Sequence, residues 1–447
     1  MRTIRGLTLT FLLLLPPGLA SAGDASPEAS PSPVESPVET PVAQKSEPDL
    51  AAEVDALRAE VDRLRDEVEE RPSETQARGN GLRTADLASR APGGLRLGGV
   101  LTAAGVLAGD RTTQFAIPRG AIFAYAPLGD RLSFAGELTF LGGGAEAVDG
   151  GLGAPGRGDV FLQFAAADLV VVPDAFTLRG GLVAVPMGRE NLRSDESVRE
   201  LLARPGEAIW IAPTPWFDAG GGALGGFDLH GLRLEYQAYV LSGVSNAIDA
   251  RQGLRDARQA PGRDQNADKA VAGRLVARPW SWIEIGASGY SGAYDTKGAR
   301  RLSMGEIDAA ADFGALFFEA EGVYAGTDGG PGATGVPVPR SMFGGSGQVT
   351  WRFLPDALRN AFPEDLKASQ IGVSARYSFA DTDGRNADTA PIGNTPESYT
   401  RRDRLGLGLS FRPVDRCILR AEYEFRSEGG GSFVDDDRAI FSATAAF

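Results

Sequence analysis

The feature that most constrains this chain is a two-residue rhythm of apolar side chains that recurs from residue 93 to residue 447. In RLSFAGELTFL, residues 131–141, Leu132, Phe134, Leu138 and Phe140 fall on one face and Arg131, Ser133, Glu137 and Thr139 on the other. SQIGVSARYSFA places Ile371, Val373, Ala375, Tyr377 and Phe379 against Gln370, Ser374, Arg376 and Ser378. RLGLGLSFRPVDRCILRAEYEF reads as a hairpin in which Leu405, Leu407, Leu409 and Phe411 match Cys417, Leu419, Ala421, Tyr423 and Phe425. The final RAIFSATAAF keeps the rhythm, with Ala439, Phe441, Ala443, Ala445 and Phe447 in one row. Period two is the signature of strands with one apolar face.

Sixteen strands are expected, at 95–107, 115–126, 131–141, 159–168, 176–185, 216–227, 231–241, 270–279, 282–292, 302–313, 315–325, 341–353, 369–380, 400–411, 416–426 and 437–447. Connections alternate between long polar loops, such as 142–158, 243–269, 326–340 and 381–399, and tight turns, such as 127–130, 280–281 and 412–415. One link, 354–368, breaks the alternation and carries a short helical pattern, PDALRNAF. A soluble sandwich also alternates, but it rarely uses sixteen strands or turns so much Leu and Phe outward. A long apolar face opposite a charged one, with loops long on one side and short on the other, fits a bacterial outer-membrane barrel. The expected fold is therefore all-β, a transmembrane antiparallel barrel of about sixteen strands spanning 93–447, preceded by a short N-terminal coiled-coil helix.

The leader supports export. Arg2 and Arg5 precede an apolar run from Leu7 to Leu15 and a small-residue site at Ala20, Ser21 and Ala22, so residues 1–22 read as a signal peptide. The run is too short for the ~20 residues of a spanning helix, and Pro16 and Pro17 interrupt it. Residues 23–48 are a Pro/Ser/Glu-rich spacer expected to be disordered. Over 49–71, Leu50, Val54, Leu57, Val61, Leu64 and Val68 form a heptad row with Val at a and Leu at d, which points to self-association. A solitary amphipathic helix is the alternative. A second linker runs over 72–92.

Several chemistries are disfavoured. A net charge of −14 without a Lys/Arg cluster argues against nucleic acid. Cys417 is the sole cysteine, so no intrachain disulfide forms. The sole histidine, His230, falls in LHGLR at a short turn, where a Ser/His hydrolase would need it at the other rim. VDDDR at 434–438 offers at most a weak Ca²⁺ site and reads better as a solvated loop. No cofactor, metal or enzymatic activity is expected.

Residues 178–227 carry a more specific signal: Leu178, Arg179 and Gly181 lead into Pro186, Gly188, Arg189 and Asn191. Arg204 and Pro205, then Pro213, Thr214, Trp216 and Gly220, follow. This arrangement resembles the phosphate-selective porin O/P family of bacterial outer-membrane porins. The resemblance implies passive passage of small hydrophilic solutes or ions, a trimeric homo-oligomer in membrane lipid, and a terminal Phe447 read by the barrel-assembly machinery. The lysine-rich lining of phosphate channels has no counterpart here, so anion or phosphate selectivity stands as the alternative, and a periplasmic tether anchored by the barrel as another.

SDESVRELLARPG, in the third long loop, is expected to be helical, capped by Ser194 and ended by Arg204, Pro205 and Gly206. Folded into the lumen, its Val198, Leu201 and Leu202 stripe packs on the wall. Arg189, Arg193, Glu196, Arg199, Glu200 and Arg204 then constrict the path within 186–215. Lying on the rim, it is only a lid. Strand parity sends Arg131, Arg179, Arg233, Arg376, Arg404, Arg420, Arg426 and Arg438 inward, against Glu137, Glu235, Glu284, Glu319, Glu321, Glu422 and Glu424. Eight against seven predicts no strong field of either sign.

Overall fold

A computed structural model describes residues 94–109, 113–142, 159–193, 195–259, 264, 268–333, 335–384, 399–429 and 436–447. The expected signal peptide, spacer, coiled coil and second linker, the helix cap at Ser194, and much of the loops at 142–158 and 381–399 lie outside the described residues. The strands are β1 (Arg96–Ala108), β2 (Gln114–Pro127), β3 (Leu132–Leu141), β4 (Asp159–Val172), β5 (Phe176–Ala184), β6 (Phe217–Leu229), β7 (Leu232–Leu241) and β8 (Ala270–Trp280). They continue as β9 (Ile283–Ala293), β10 (Arg301–Asp312), β11 (Leu316–Thr327), β12 (Ser341–Phe353), β13 (Gln370–Asp381), β14 (Arg401–Val414), β15 (Cys417–Glu428) and β16 (Arg438–Ala446). Short helices α1 (Arg189–Leu192) and α2 (Gly206–Trp210) lie between β5 and β6, and α3 (Asp356–Ala361) between β12 and β13.

Every strand pairs antiparallel with its sequence neighbours, and β16 closes on β1 from Val100↔Ala446 to Ala108↔Arg438. The result is a closed sixteen-stranded barrel in which no strand edge is left open. Alternation sets its two surfaces. On β3, Phe134 and Leu138 are exposed outward, whereas Ala135, Glu137 and Thr139 are buried inside. The outward Leu405, Leu407 and Leu409 of β14 and Leu419, Tyr423 and Phe425 of β15 repeat the pattern. An apolar outer band on a closed barrel is the architecture of a bacterial outer-membrane protein, with the short turns on the periplasmic side.

At that end the turns span 128–131, 173–175, 230–231, 281–282, 313–315 and 415–416, and the exception at 354–369 contains α3. Its rim carries aromatic contacts: Trp280 stacks on Trp282 at 5.5 Å, Trp282 meets Phe313 at 5.0 Å, and Trp351 stacks on Phe353 at 4.2 Å. Such rings are favoured at a membrane interface. One lumen assignment fails here. Arg131 precedes β3 in the exposed 128–131 turn, so strand parity does not carry it into the lumen.

Candidate functional site

The connection from β5 to β6, residues 185–216, turns inward and docks on the barrel wall. Asn191 closes its base: Nδ2 donates to the carbonyls of Val185 (2.7 Å) and Trp216 (3.1 Å), and Oδ1 accepts from Trp216 N (2.6 Å). One carboxamide thus satisfies backbone groups on both ends of the loop. Gly188 has φ 65°, and a Cβ there would collide with the Glu306 carboxylate. Both observations demand glycine. Beyond it, Arg189 reaches Glu284 (2.9 Å) and Glu319 (3.4 Å), while Glu190 N donates to Glu321 Oε1 (2.5 Å). The loop's entry is therefore tied to β9 and β11.

Its middle is tied to the other side. Arg119 pairs with Glu196 at 2.5 Å and also with Glu137; Arg204 approaches Glu196 and Glu190, each at 3.5 Å. Arg199 lies 3.3 Å from Glu190. Glu200 accepts from Ser410 Oγ at 2.7 Å and faces Arg412 (3.4 Å) and Arg352 (3.6 Å). Arg420 donates to the carbonyls of Glu196 and Arg199, and Arg376 to that of Ala203. The Glu422 carboxylate accepts from Leu202 N (2.9 Å) and Ala203 N (3.2 Å).

These contacts explain why the expected helix over 194–206 does not form: described residues 195–203 run as turns and bends between α1 and α2. Backbone groups that a helix would pair internally are taken by Arg420, Arg376 and Glu422. The expected stripe also divides. Leu201 packs against Gly406 and Gly408 of β14, Leu202 joins Ala104, Val106 and Ile440, and Val198 is exposed. Glu196, Arg199, Glu200 and Arg204 do not project into water but are buried in the ion pairs above. Arg193 lines a narrow cleft of about 30 Å³ with Arg189, Arg274, Arg278, Glu235 and Glu284, between the entry of the loop and β7–β9.

The described stretch 243–259 of the fourth long loop, which reads as polar, also folds inward. Val244, Ile248, Leu254 and Ala257 are fully or nearly fully buried. Leu254 N donates to Trp210 O (2.7 Å), Arg258 to Pro215 O (2.8 Å), and Thr382 Oγ1 to Ala250 O (2.6 Å). With Val185, Met187, Ile209, Ile211 and Trp216 of the third loop and the inward Leu241, Tyr290, Leu302, Met304, Val323 and Met342 of the wall, they make an apolar core inside the barrel. The two loops pack as one body through it.

The lumen charges, balanced by count, are separated in space. On β13–β16, Arg376, Arg402, Arg404, Arg412, Arg420, Arg426 and Arg438 accompany Glu422, Glu424 and Glu428. On β9–β11 the inward charges are Glu284, Glu306, Asp308, Glu319 and Glu321. Glu424 gathers Arg438 (2.8 Å), Arg426 (2.9 Å) and Arg404 (3.4 Å), and the Arg402 and Arg404 guanidiniums lie over the Trp210 ring at 4.4 and 4.5 Å. Arg179 is engaged bidentately by Asp168 at 2.7 and 2.6 Å. Arg119, Arg274, Glu306 and Asp308 are buried lumen charges that parity did not find; Arg274 grips Asp308 at 2.5 and 2.8 Å.

Two loop carboxyls respond oppositely to pH. Burial alone would raise Glu196, but Arg119, Arg204 and Arg199 outweigh it and bring its pKa down from 4.5 to about 2. Its contribution to docking is complete above pH 4.5 and is lost as pH falls through 2. Burial pushes Glu207 of α2 up from 4.5 to about 7, and the Ser346 hydroxyl and Arg376 offset only part of that. Its contribution is complete below pH 4.5 and is lost as pH rises through 7. Between them, these two carboxyls favour docking most near pH 5. Glu207→Gln should remove the alkaline loss, of order 3 kcal/mol. Amide exchange in 189–211 should then slow by roughly 100-fold at pH 8 and change little at pH 4; equal slowing at both pH values would contradict this assignment.

No family model matches the chain. A curated relative, an uncharacterized protein of Aquifex aeolicus (strain VF5), is 27% identical over 169 residues, 37% of this chain and 35% of that protein. The chain thus spans about a third of the length of the curated relative it matches. Among solved structures it is similar to Salmonella typhi OmpF in complex with daunomycin, at 13% identity over 79% of this chain and 98% of that one, TM-score 0.49. It is also similar to an anion-selective porin from Comamonas acidovorans (10% identity, 79% and 99%, TM-score 0.49) and to Pseudomonas putida OprB (10%, 79% and 94%, TM-score 0.48). At such scores the likeness adds nothing to the fold that the strand pairing already gives.

Proposed function

We propose that this barrel is an outer-membrane porin that passes small hydrophilic solutes or ions, with the loop at 186–215 as its constriction. The observation that carries the reading is the charged third loop held inside a closed barrel by Arg420, Arg376 and Glu422. A loop in that position narrows the path, and the charges around it select what passes. The inward charges of β13–β16, seven arginines against three glutamates, favour an anion preference as the second reading. The heptad row at 49–71 supports a homo-oligomer, and the terminal Phe447 supports handling by assembly machinery.

Purified, folded protein in a planar bilayer should give discrete conductance steps. In a KCl gradient, the sign of the reversal potential should indicate anion preference. Absence of channels from folded protein overturns the porin reading; a cation-preferring reversal potential overturns only the second.

A further inference from the structure

The periplasmic turn at 354–369 is longer than the other described turns at its end of the barrel and is amphipathic. Pro355 and Pro363 bracket α3, which carries Leu358, while Leu354 and Phe362 flank the helix on either side. Asp356, Ala357, Arg359, Asn360 and Ala361 make up the rest of the helix, and none of its residues is buried. Leu358 is 37% exposed.

The placement of this face identifies what covers it. The Phe362 ring lies 6.2 Å from Phe411, whose side chain belongs to the lipid-facing row of β14. Trp351 and Phe353, stacked at the end of β12, lead directly into the segment, and the rim continues through Phe318, Phe313, Trp282 and Trp280. Ser369 Oγ lies 3.1 Å from Pro413 O and ties the far end to the 413–416 region. The apolar face is thus continuous with the barrel's own membrane belt. Asp356, Glu364 and Asp365 against Arg359 and Lys367 leave the segment near neutral, so apolar insertion rather than attraction to anionic headgroups would hold it.

We propose that residues 354–369 lie in the periplasmic leaflet of the outer membrane, with Leu354, Leu358 and Phe362 among phospholipid acyl chains, as an interfacial anchor of this rim. The assignment does not depend on whether the barrel conducts. It is tested on the mature full-length protein carrying Cys417→Ala and a nitroxide at Leu358→Cys, or separately at Glu364→Cys, in phosphatidylcholine vesicles. The label at 358 should collide more with oxygen than with a water-soluble nickel chelate, and the label at 364 should show the reverse. A label at 358 that collides mainly with nickel places the face in water and overturns the proposal. A label shielded from both reagents places it under protein, a second copy or the 49–71 segment, and overturns it equally. Ala361→Cys, on the same face, repeats the reading should the label at 358 disturb the turn.

Discussion

Replacing Arg420 by methionine should release the middle of the third loop and raise single-channel conductance severalfold, while lowering the stability of the docked state by ~3 kcal/mol. The guanidinium donates to the carbonyls of Glu196 and Arg199 and to Thr444 Oγ1 at 3.0 Å, all within the barrel. Methionine preserves much of the volume and none of the donors, so two loop carbonyls lose a charged partner. An orphaned buried acceptor costs more than the bond it loses, which is why removing one side of such a contact is severe. Arg420→Lys keeps a charge but cannot span both carbonyls with a fork, so it should fall between wild type and methionine. Noise analysis of single channels and amide exchange over 195–203 read the two effects separately. Unchanged conductance in both variants, with faster exchange, would mean that the loop docks there but does not limit flow.

The outer face was legible because its row is simple. Leu405, Leu407 and Leu409, or Phe134 and Leu138, alternate without interruption, and all sixteen expected strands exist within a few residues of their expected bounds. The inner face was not, because it holds more than one kind of residue. On β10, Leu302 and Met304 point inward on the same parity as Glu306 and Asp308, since the wall there is apolar where the loops pack and charged elsewhere. On β8, Ala270, Ala272 and Gly273 leave the parity of Arg274 unmarked. The irregular register between Thr102 and Ala104 shifts the facing stretch of β2, which hides Arg119. The better signal would have been the outward Val271 and Leu275, four apart, whose parity sends Arg274 in.

The loops failed for a different reason. SDESVRELLARPG has local helix signals, but its backbone is claimed by side chains from β13 and β15 that are distant in sequence. No window of local sequence contains that competition. In the fourth loop, Val244, Ile248 and Leu254 are separated by polar residues that look like solvent-facing loop, and only the cavity left by the third loop explains their burial. Nearly equal totals of Arg and Glu likewise concealed a field, because a count has no direction while an arginine-rich arc at β13–β16 and an acidic arc at β9–β11 do.

Deleting Phe447 should reduce the yield of folded barrel in the membrane by about tenfold or more while leaving the conductance of each assembled channel unchanged. The last residue is part of the closure: Gly99 N donates to Phe447 O and Phe447 N to Gly99 O, both at 3.0 Å, extending the β1–β16 ladder past Ala446. Its ring lies where a side chain on Gly99 would stand. Loss of two ladder bonds at ~1 kcal/mol each shifts the closing equilibrium by roughly 30-fold before any effect of recognition by assembly machinery. Gly99→Val separates these causes. It keeps the terminal aromatic but obstructs its seat, so a defect from closure alone should appear in both variants, both in cells and on refolding of urea-denatured protein into detergent. A defect of the deletion seen only in cells, with Gly99→Val assembling normally, would assign Phe447 to recognition and leave the seat without a role. Altered conductance in either variant would contradict the placement of this residue, which lies outside the lumen with 74% of its surface exposed.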